Sequence, residues 1–290
     1  MRSKTDWLVS MTLVYACIAP HGSEAIAELS SERNRRKFRR TTDGLRKLGI
    51  EVAKTKPDTI VIATPHSLRL SRNIGIILSE NSSGTLRASP HSRRAISVKA
   101  KCDVGFATQL LERSRRAHLP VVGANYGTNE GITSDMPMDW GALVPLWFIL
   151  PRCERKPRVV IVTPSREIPL AKNFQFGRVI ADRAEAIRKK RIVFVASADQ
   201  AHTHKRDGPY GYSSKAGEYD SFVLDALSHN RIGDVMKLSP ALVEAAKPDS
   251  LWQMAVLAGV ADRVNLQAKL VSYDTPTYFG MICANFRRIT

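Results

Sequence analysis

The chain has 290 residues, with 44 Lys+Arg against 27 Asp+Glu and a formal net charge of +17. An apolar content of 43% excludes an intrinsically disordered chain, and this length allows one large α/β domain or two smaller ones, either able to bury a core. The four cysteines, Cys17, Cys102, Cys153 and Cys283, form no CxxC pair; this argues against a disulfide-stapled scaffold or a Cys-ligated zinc site and suits a reducing cytoplasm.

At the N-terminus, two positive charges in Met1–Lys4 and the apolar run Trp7–Ala19 imitate a secretory leader. Asp6 interrupts it, the run is rich in β-formers, and it flows directly into Pro20-His21-Gly22. The expectation is a soluble, cytoplasmic chain. Residues 1–12 form an N-terminal extension, disordered or non-native, with Met1–Ser10 preceding an alternative start at Met11, and 13–290 form a single catalytic domain. No stretch reaches the ~18 consecutive apolar residues of a membrane span.

Leu13–Ala19 reads as a buried strand, followed by a helix from Glu24 to Leu48. Asp58–Thr64 is a second strand, and a helix from Val104 to His118 leads into a third at Pro120–Ala124. Ala142–Leu150, Val159–Thr163 and Arg191–Ser197 read as three more strands. Glu218–His229, Ser239–Ala246 and Ser250–Ala261 read as helices, and Lys269–Tyr273 and Tyr278–Asn285 as closing strands. This alternation predicts an α/β three-layer sandwich: a central, mostly parallel or mixed sheet with helices on both faces.

The positive charge is concentrated in Arg33–Arg40, Arg113–Arg116 and Arg188–Arg191. These runs are scattered, lack interleaved aromatics and accompany no nucleic-acid motif, so they read as solvated helix faces rather than a nucleic-acid platform. A basic rim that attracts an anionic substrate is the other reading.

The histidines are more informative. The first strand runs into Pro20-His21, the second into Pro65-His66, and Arg191–Ser197 into Ala198-Asp199-Gln200-Ala201-His202-Thr203-His204. Carboxyl ends of strands are where open α/β sheets bind ligands. Imidazoles converging there suit Fe(II), Zn(II) or Mn(II), and two His with one carboxylate make the facial triad of non-haem iron enzymes. A third His is then available as general acid/base. His91, His118 and His229 lack partners and read as surface residues.

Three stretches carry a resemblance: Ile18-Ala19-Pro20-His21-Gly22, the segment Pro57–His66, and the segment His202–Tyr212 with its Asp207-Gly208-Pro209-Tyr210-Gly211-Tyr212. With Asn125-Tyr126-Gly127, Met138-Asp139-Trp140-Gly141, Val144-Pro145-Leu146 and Leu251-Trp252 before Ala258-Gly259, the ordered set resembles class III extradiol ring-cleavage dioxygenases over residues 13–260. These are relatives of the protocatechuate 4,5-dioxygenase catalytic subunit.

The resemblance implies that His21 and His66 ligate iron and that His202 is the acid/base. It implies Fe(II), with Zn or Mn as alternatives, and a vicinal aromatic diol and O2 as reactants. It also implies a homo-oligomer, with or without a small accessory subunit, and neither nucleic acid nor membrane as partner. The family's third ligand is a Glu; here no Glu stands at that spacing, so Asp249 is the candidate and Glu244 its alternative. Pro248-Asp249-Ser250 also reads as a helix start with Asp or Ser as cap. Trp140 stands where many relatives carry His, which bears on the substrate pocket. Tyr210 and Tyr212 are candidates to orient the substrate, and His204 is a substrate-shell candidate or a bystander. Basic residues at the mouth would favour a carboxylated ring. The competing readings are a zinc- or manganese-dependent hydrolase with His202 as base, and a non-catalytic binding protein on the same fold.

Overall fold

The computed structural model describes residues 12–187 and 190–289; the leader-like start and part of the Arg188–Arg191 run lie outside them. Among the described residues there are eleven strands: β1 (Leu13–Ala19), β2 (Thr59–Ala63), β3 (Ile74–Ile77), β4 (Asn81–Arg87), β5 (Ala95–Lys101), β6 (Val121–Ala124), β7 (Asp135–Pro137), β8 (Arg158–Thr163), β9 (Ile192–Ser197), β10 (Leu266–Asp274) and β11 (Met281–Arg288). The helices are α1 (Glu32–Lys37), α2 (Arg39–Lys54), α3 (Val104–Arg116), α4 (Trp140–Ile149), α5 (Leu170–Glu185), α6 (Lys215–Ser228), α7 (Pro240–Ala246) and α8 (Leu251–Arg263). Eight strands make one mixed sheet in the order β10-β11-β1-β9-β2-β8-β3-β6, and β5-β4-β7 make a small second sheet. The centre of the large sheet, β1-β9-β2-β8, is parallel.

Those central strands are apolar through their interiors, with polar residues only at their ends (Thr59, Arg158, Thr163 and Ser197), because both of their faces are covered. Ala16 and Ile18, Val61 and Ala63, Val160 and Val162, Phe194 and Ala196 feed a cluster with α3, α5, α6 and α8. Their alternates, Tyr15 and Cys17, Ile60 and Ile62, Val159 and Ile161, Val193 and Val195, feed a second cluster with α2 and α4. The period of two along each strand thus divides one apolar run between two cores, giving the three-layer sandwich expected. All four cysteines are free and buried. The Arg33–Arg40 run lies on the solvent side of α1 and α2, apart from buried Phe38. Among the described residues no helix is long and apolar enough to cross a membrane.

Two expectations need correction. Ala142–Leu150 is not a strand but part of α4. A run buried on all sides has no periodicity to separate strand from helix; the deciding signal is Asp139, whose carboxylate caps the helix by accepting from the Ala142 N–H at 3.1 Å. The helix expected over Glu24–Leu48 is broken: a 3-10 turn at Ser23–Ala25 precedes α1, which Ser31 caps, and α2 runs on to Lys54. The β4–β5 hairpin, β3, β7 and α5 complete the fold beyond the elements read from the sequence.

Helix α8 matters to the site because it begins just after Asp249. It crosses α5 at two glycines: a Cβ on Gly177 would strike the Val256 carbonyl, and one on Gly259 would strike the Phe174 carbonyl. Backbone lies against backbone at both points, so no side chain can rotate away. Gly259→Ala is expected to destabilise the fold by about 2 kcal/mol or more through overpacking. A urea midpoint unchanged from the parent would contradict this packing account.

Candidate metal centre and its cavity

Parallel strands β1, β9 and β2 end side by side at Ala19, Ser197 and Ala63. The chain leaving β1 carries His21, that leaving β2 carries His66, and that leaving β9 carries Asp199 and then His202. Asp249 arrives from the opposite direction. Lys247 closes α7 in the left-handed conformation at φ 51°, and Pro248 then delivers Asp249 just ahead of α8.

These segments bring three donor atoms together. His21 Nε2 lies 3.0 Å from His66 Nε2, and Asp249 Oδ2 lies 3.3 Å from the first and 3.2 Å from the second. Donors about 2.1 Å from one ion stand about 3.0 Å apart at right angles and about 3.4 Å apart in a tetrahedron. The triangle therefore fits one face of a metal's coordination shell, and among the described residues it is the one His/Cys/Asp/Glu cluster that can hold a metal ion. Asp199 adds a carboxylate oxygen 3.3 Å from His21 Nε2.

Hydrogen bonds set which atoms face inward. Pro145, inside α4, has no N–H for the Gly141 carbonyl one turn back. The Ser197 hydroxyl donates to that carbonyl instead, at 2.5 Å. Its single proton being used, Ser197 Oγ accepts from His21 Nδ1–H at 3.0 Å, which leaves His21 Nε2 as the inward donor. Trp140, at the start of α4, stacks on the His66 ring at 4.1 Å. Asp249 Oδ1 accepts from the Asp199 N–H at 3.2 Å, turning Oδ2 toward the imidazoles. Neither Asp249 nor Ser250 caps α8; the Ser250 hydroxyl pairs with Tyr219.

The electrostatics favour a cation at this point. Burial lowers the His21 imidazole, but Asp199 and Asp249 outweigh it and push the pKa up to about 9. Burial would raise Asp249, yet His21, His66 and His202 hold it well below the usual carboxylate range. Asp199 is pushed up to about 7, first by burial, with His21 opposing. Without a metal, a proton on His21 supplies the positive charge that the two carboxylates call for.

His202 stands beside the triangle, not in it. Its Nδ1–H donates to the Gln200 carbonyl at 2.8 Å, so the lone pair on Nε2 is exposed to the site, 4.0 Å from Asp249 Oδ2. Burial lowers its pKa, against the pull of Asp249, and the ring stacks on Phe279 at 5.1 Å. A neutral imidazole with a free nitrogen at this place can take up a proton.

The cluster forms the floor of a cavity of about 640 Å³, lined also by Trp140, Tyr210 and Phe279. Glu244 is at its rim, bridged to Lys247 and far more exposed than Asp249. His204 and Tyr212 do not line it. His204 donates to or accepts from buried Asp220 at 2.8 Å, and Tyr212 pairs with His204 through the backbone. The same Asp220 accepts from Ala201 N–H and Tyr273 O–H, tying down the loop that carries His202. His91, His118 and His229 are exposed, as expected, but His229 does have a partner, its Nδ1 lying 3.0 Å from Asp225 Oδ1. Sequence reasoning did not single out Asp199 or Ser197, although both lie in the run from β9 to His202.

The chain belongs to the family of the catalytic LigB subunit of aromatic ring-opening dioxygenase, whose pattern it matches over residues 15–283. It is similar to Protein CA_C1420 of Clostridium acetobutylicum, 24% identical over 261 residues, which cover 89% of this chain and 54% of that protein. The chain thus spans about half the length of the curated relative it matches. Its fold is similar to the crystal structure of uncharacterized protein JW3007 from Escherichia coli K12, with a TM-score of 0.59 and 18% identity, covering 94% of this chain and 99% of that one.

Three substitutions test the donor set and its orientation. Asp249→Asn is expected to abolish stoichiometric metal binding, whereas Glu244→Gln retains it; metal analysis after dialysis reads both, and the reverse pattern would reassign the ligand. Ser197→Ala frees His21 Nδ1 and is expected to weaken metal affinity by about 10- to 100-fold in a chelator competition. Unchanged affinity would show that the serine does not orient the ligand.

Proposed function

We propose that the protein is an Fe(II)-dependent extradiol dioxygenase that opens the ring of a vicinal aromatic diol with O2. One observation carries the reading: two imidazole nitrogens and one carboxylate oxygen within 3.3 Å of one another, with the free His202 Nε2 alongside, on the floor of an aromatic-walled cavity. His21, His66 and Asp249 would hold the iron. When bound there, Fe(II) supplies a redox-active Lewis acid with positions open to the diol and to dioxygen.

The chain's own residues do the rest. His202 Nε2 takes a proton from a diol hydroxyl as the substrate enters and returns one as the ring opens, which an imidazole near neutrality does in both directions. Its Nδ1–H bond to Gln200 and its stacking on Phe279 keep that nitrogen aimed at the reacting oxygens. Trp140, held against His66, and Tyr210, edge-on to His202 at 5.9 Å, flank the space for the ring. Both oxygen atoms of O2 enter the product, so no external reductant is required. The reaction joins two reactants held side by side, which lowers the entropic cost of their encounter.

The same donors suit zinc or manganese, and a hydrolase with His202 as base is the second reading, favoured by the additional carboxylate of Asp199 beside His21. Metal analysis of anaerobically purified protein separates the two: iron supports ring cleavage, stoichiometric zinc supports hydrolysis. Protein loaded anaerobically with Fe(II), given a panel of catechols and then air, is expected to form a yellow ring-opened product. His202→Phe is expected to keep its iron and lose about 100-fold or more in turnover. A colourless panel would contradict ring cleavage, and unchanged turnover in the variant would remove His202 from the mechanism.

A further inference from the structure

One buried carboxylate beside the site has no part in the chemistry so far. Asp220, on α6, is 1% exposed and reaches the loop that follows β9. Its Oδ1 accepts from the Ala201 N–H at 3.0 Å. Its Oδ2 accepts from the Tyr273 hydroxyl at 2.8 Å and stands 2.8 Å from His204 Nε2. Gly280 closes another side, where a Cβ would strike that same oxygen. The second histidine of His202-Thr203-His204 therefore serves Asp220 rather than the cavity.

What the carboxylate holds is a single peptide group. The Gln200 carbonyl and the Ala201 N–H are the two ends of one planar trans unit, so they point in opposite directions. On one side the N–H meets Asp220; on the other the carbonyl accepts from His202 Nδ1–H at 2.8 Å. Carboxylate, peptide and imidazole thus form one continuous chain of hydrogen bonds. A peptide whose N–H is bonded to a carboxylate is polarised, and its carbonyl becomes the stronger acceptor. That carbonyl decides which nitrogen of His202 carries the proton, and with Nδ1 protonated Nε2 is bare toward the metal triangle. Stacking on Phe279 fixes the plane of the ring, but a half-turn that exchanges the nitrogens would preserve it.

The backbone on either side is secured separately. The Gln200 N–H donates to the Gly280 carbonyl at 2.8 Å, the Gly280 N–H to the Ala201 carbonyl at 3.0 Å, and the His202 N–H to the Ala246 carbonyl at 2.8 Å. Without Asp220 the loop keeps these bonds, while the peptide that orients His202 loses the anchor on its N–H.

We propose that Asp220 is the positioning residue of His202, acting through the peptide group between Gln200 and Ala201, with His204 and Tyr273 holding the carboxylate in place. Asp220 does not line the cavity, so its action on the reaction is indirect. Burial and the Asp220 charge push the Tyr273 phenol above its ordinary pKa, which keeps the hydroxyl a donor. The effect of Asp220 on turnover rests on the ring-cleavage reading; its effect on the imidazole does not.

Nitrogen-15 NMR of metal-free, histidine-labelled protein at mildly alkaline pH reads the imidazole directly, with His202 assigned by its absence from His202→Phe. The parent is expected to hold the His202 proton on Nδ1. Asp220→Ala is expected to redistribute it onto Nε2, and Asp220→Asn, which keeps an acceptor without the charge, to give an intermediate result. In iron-loaded protein, kcat for ring cleavage is expected to fall about tenfold or more in Asp220→Ala and by less in Asp220→Asn, with KM and bound metal unchanged. Tyr273→Phe removes one bond to the carboxylate without touching the loop, and is expected to lower kcat in the same way if Asp220→Ala fails to fold. A proton that stays on Nδ1 in every folded variant, or kcat equal to the parent's in each of them, would overturn the proposal. A loss of thermal stability alone, with tautomer and kcat unchanged, would reduce Asp220 to a structural residue and overturn it too. The expected change of tautomer in a protein that opens no diol would leave Asp220 in its role and remove the ring-cleavage reading.

Discussion

Two imidazoles and a carboxylate packed within about 3 Å of one another below a protein surface favour a positive charge among them. In this chain that constraint falls on His21, which is 2% exposed and flanked by Asp199 and Asp249. With a proton on His21 the cluster is tolerable but dead as a ligand set; with a metal in the proton's place the same nitrogen becomes a donor. The rest of the site follows from this exchange. Asp249 is oriented by the Asp199 N–H, Asp199 is oriented by the His21 N–H, and each restricts the other's freedom to move away. The fold contributes by ending three parallel strands side by side, so that the Pro-His exits and the β9 loop leave the sheet next to one another.

Helix α4 shows how a feature of local structure reaches the chemistry. Pro145 would normally be a defect inside a helix, since it removes one hydrogen bond and frees a carbonyl. Here the freed Gly141 carbonyl takes the Ser197 proton, and this determines which nitrogen of His21 faces the cavity. The N-terminal residue of the same helix, Trp140, stacks on His66. One short helix thus sets both imidazoles. Asp139, which caps it, also accepts from Thr64 Oγ at the end of β2, so the cap and the His66 exit are joined.

Much of this was legible in the residue string, and the exceptions have physical causes. Strands β1 and β2 announced themselves through apolar runs leading into Pro-His, and His21, His66, His202 and Asp249 do meet. The segment Ala142–Leu150 misled because it is buried on all sides, so its pattern has no period; the Asp139 cap was the only local sign. The helix break near Ser31 was hidden by a long basic stretch that suits helix throughout. His204 and Tyr212 sit in a motif beside the acid/base but turn toward Asp220 and the backbone, a direction that spacing alone does not give. Ser197 gave no signal because its significance lies in a partner 176 positions away. Asp249 was reachable only as the carboxylate nearest the place where the resemblance expects a Glu; the Lys247-Pro248 turn brings its short side chain close to the imidazoles.

The central claim is that one ion occupies the position for which His21, His66 and Asp249 compete. Crystals grown anaerobically with Fe(II), measured on both sides of the iron absorption edge, test it directly. The account predicts a single anomalous peak about 2.1 Å from His21 Nε2, His66 Nε2 and Asp249 Oδ2. A peak centred elsewhere, or on Glu244 without Asp249, would contradict it.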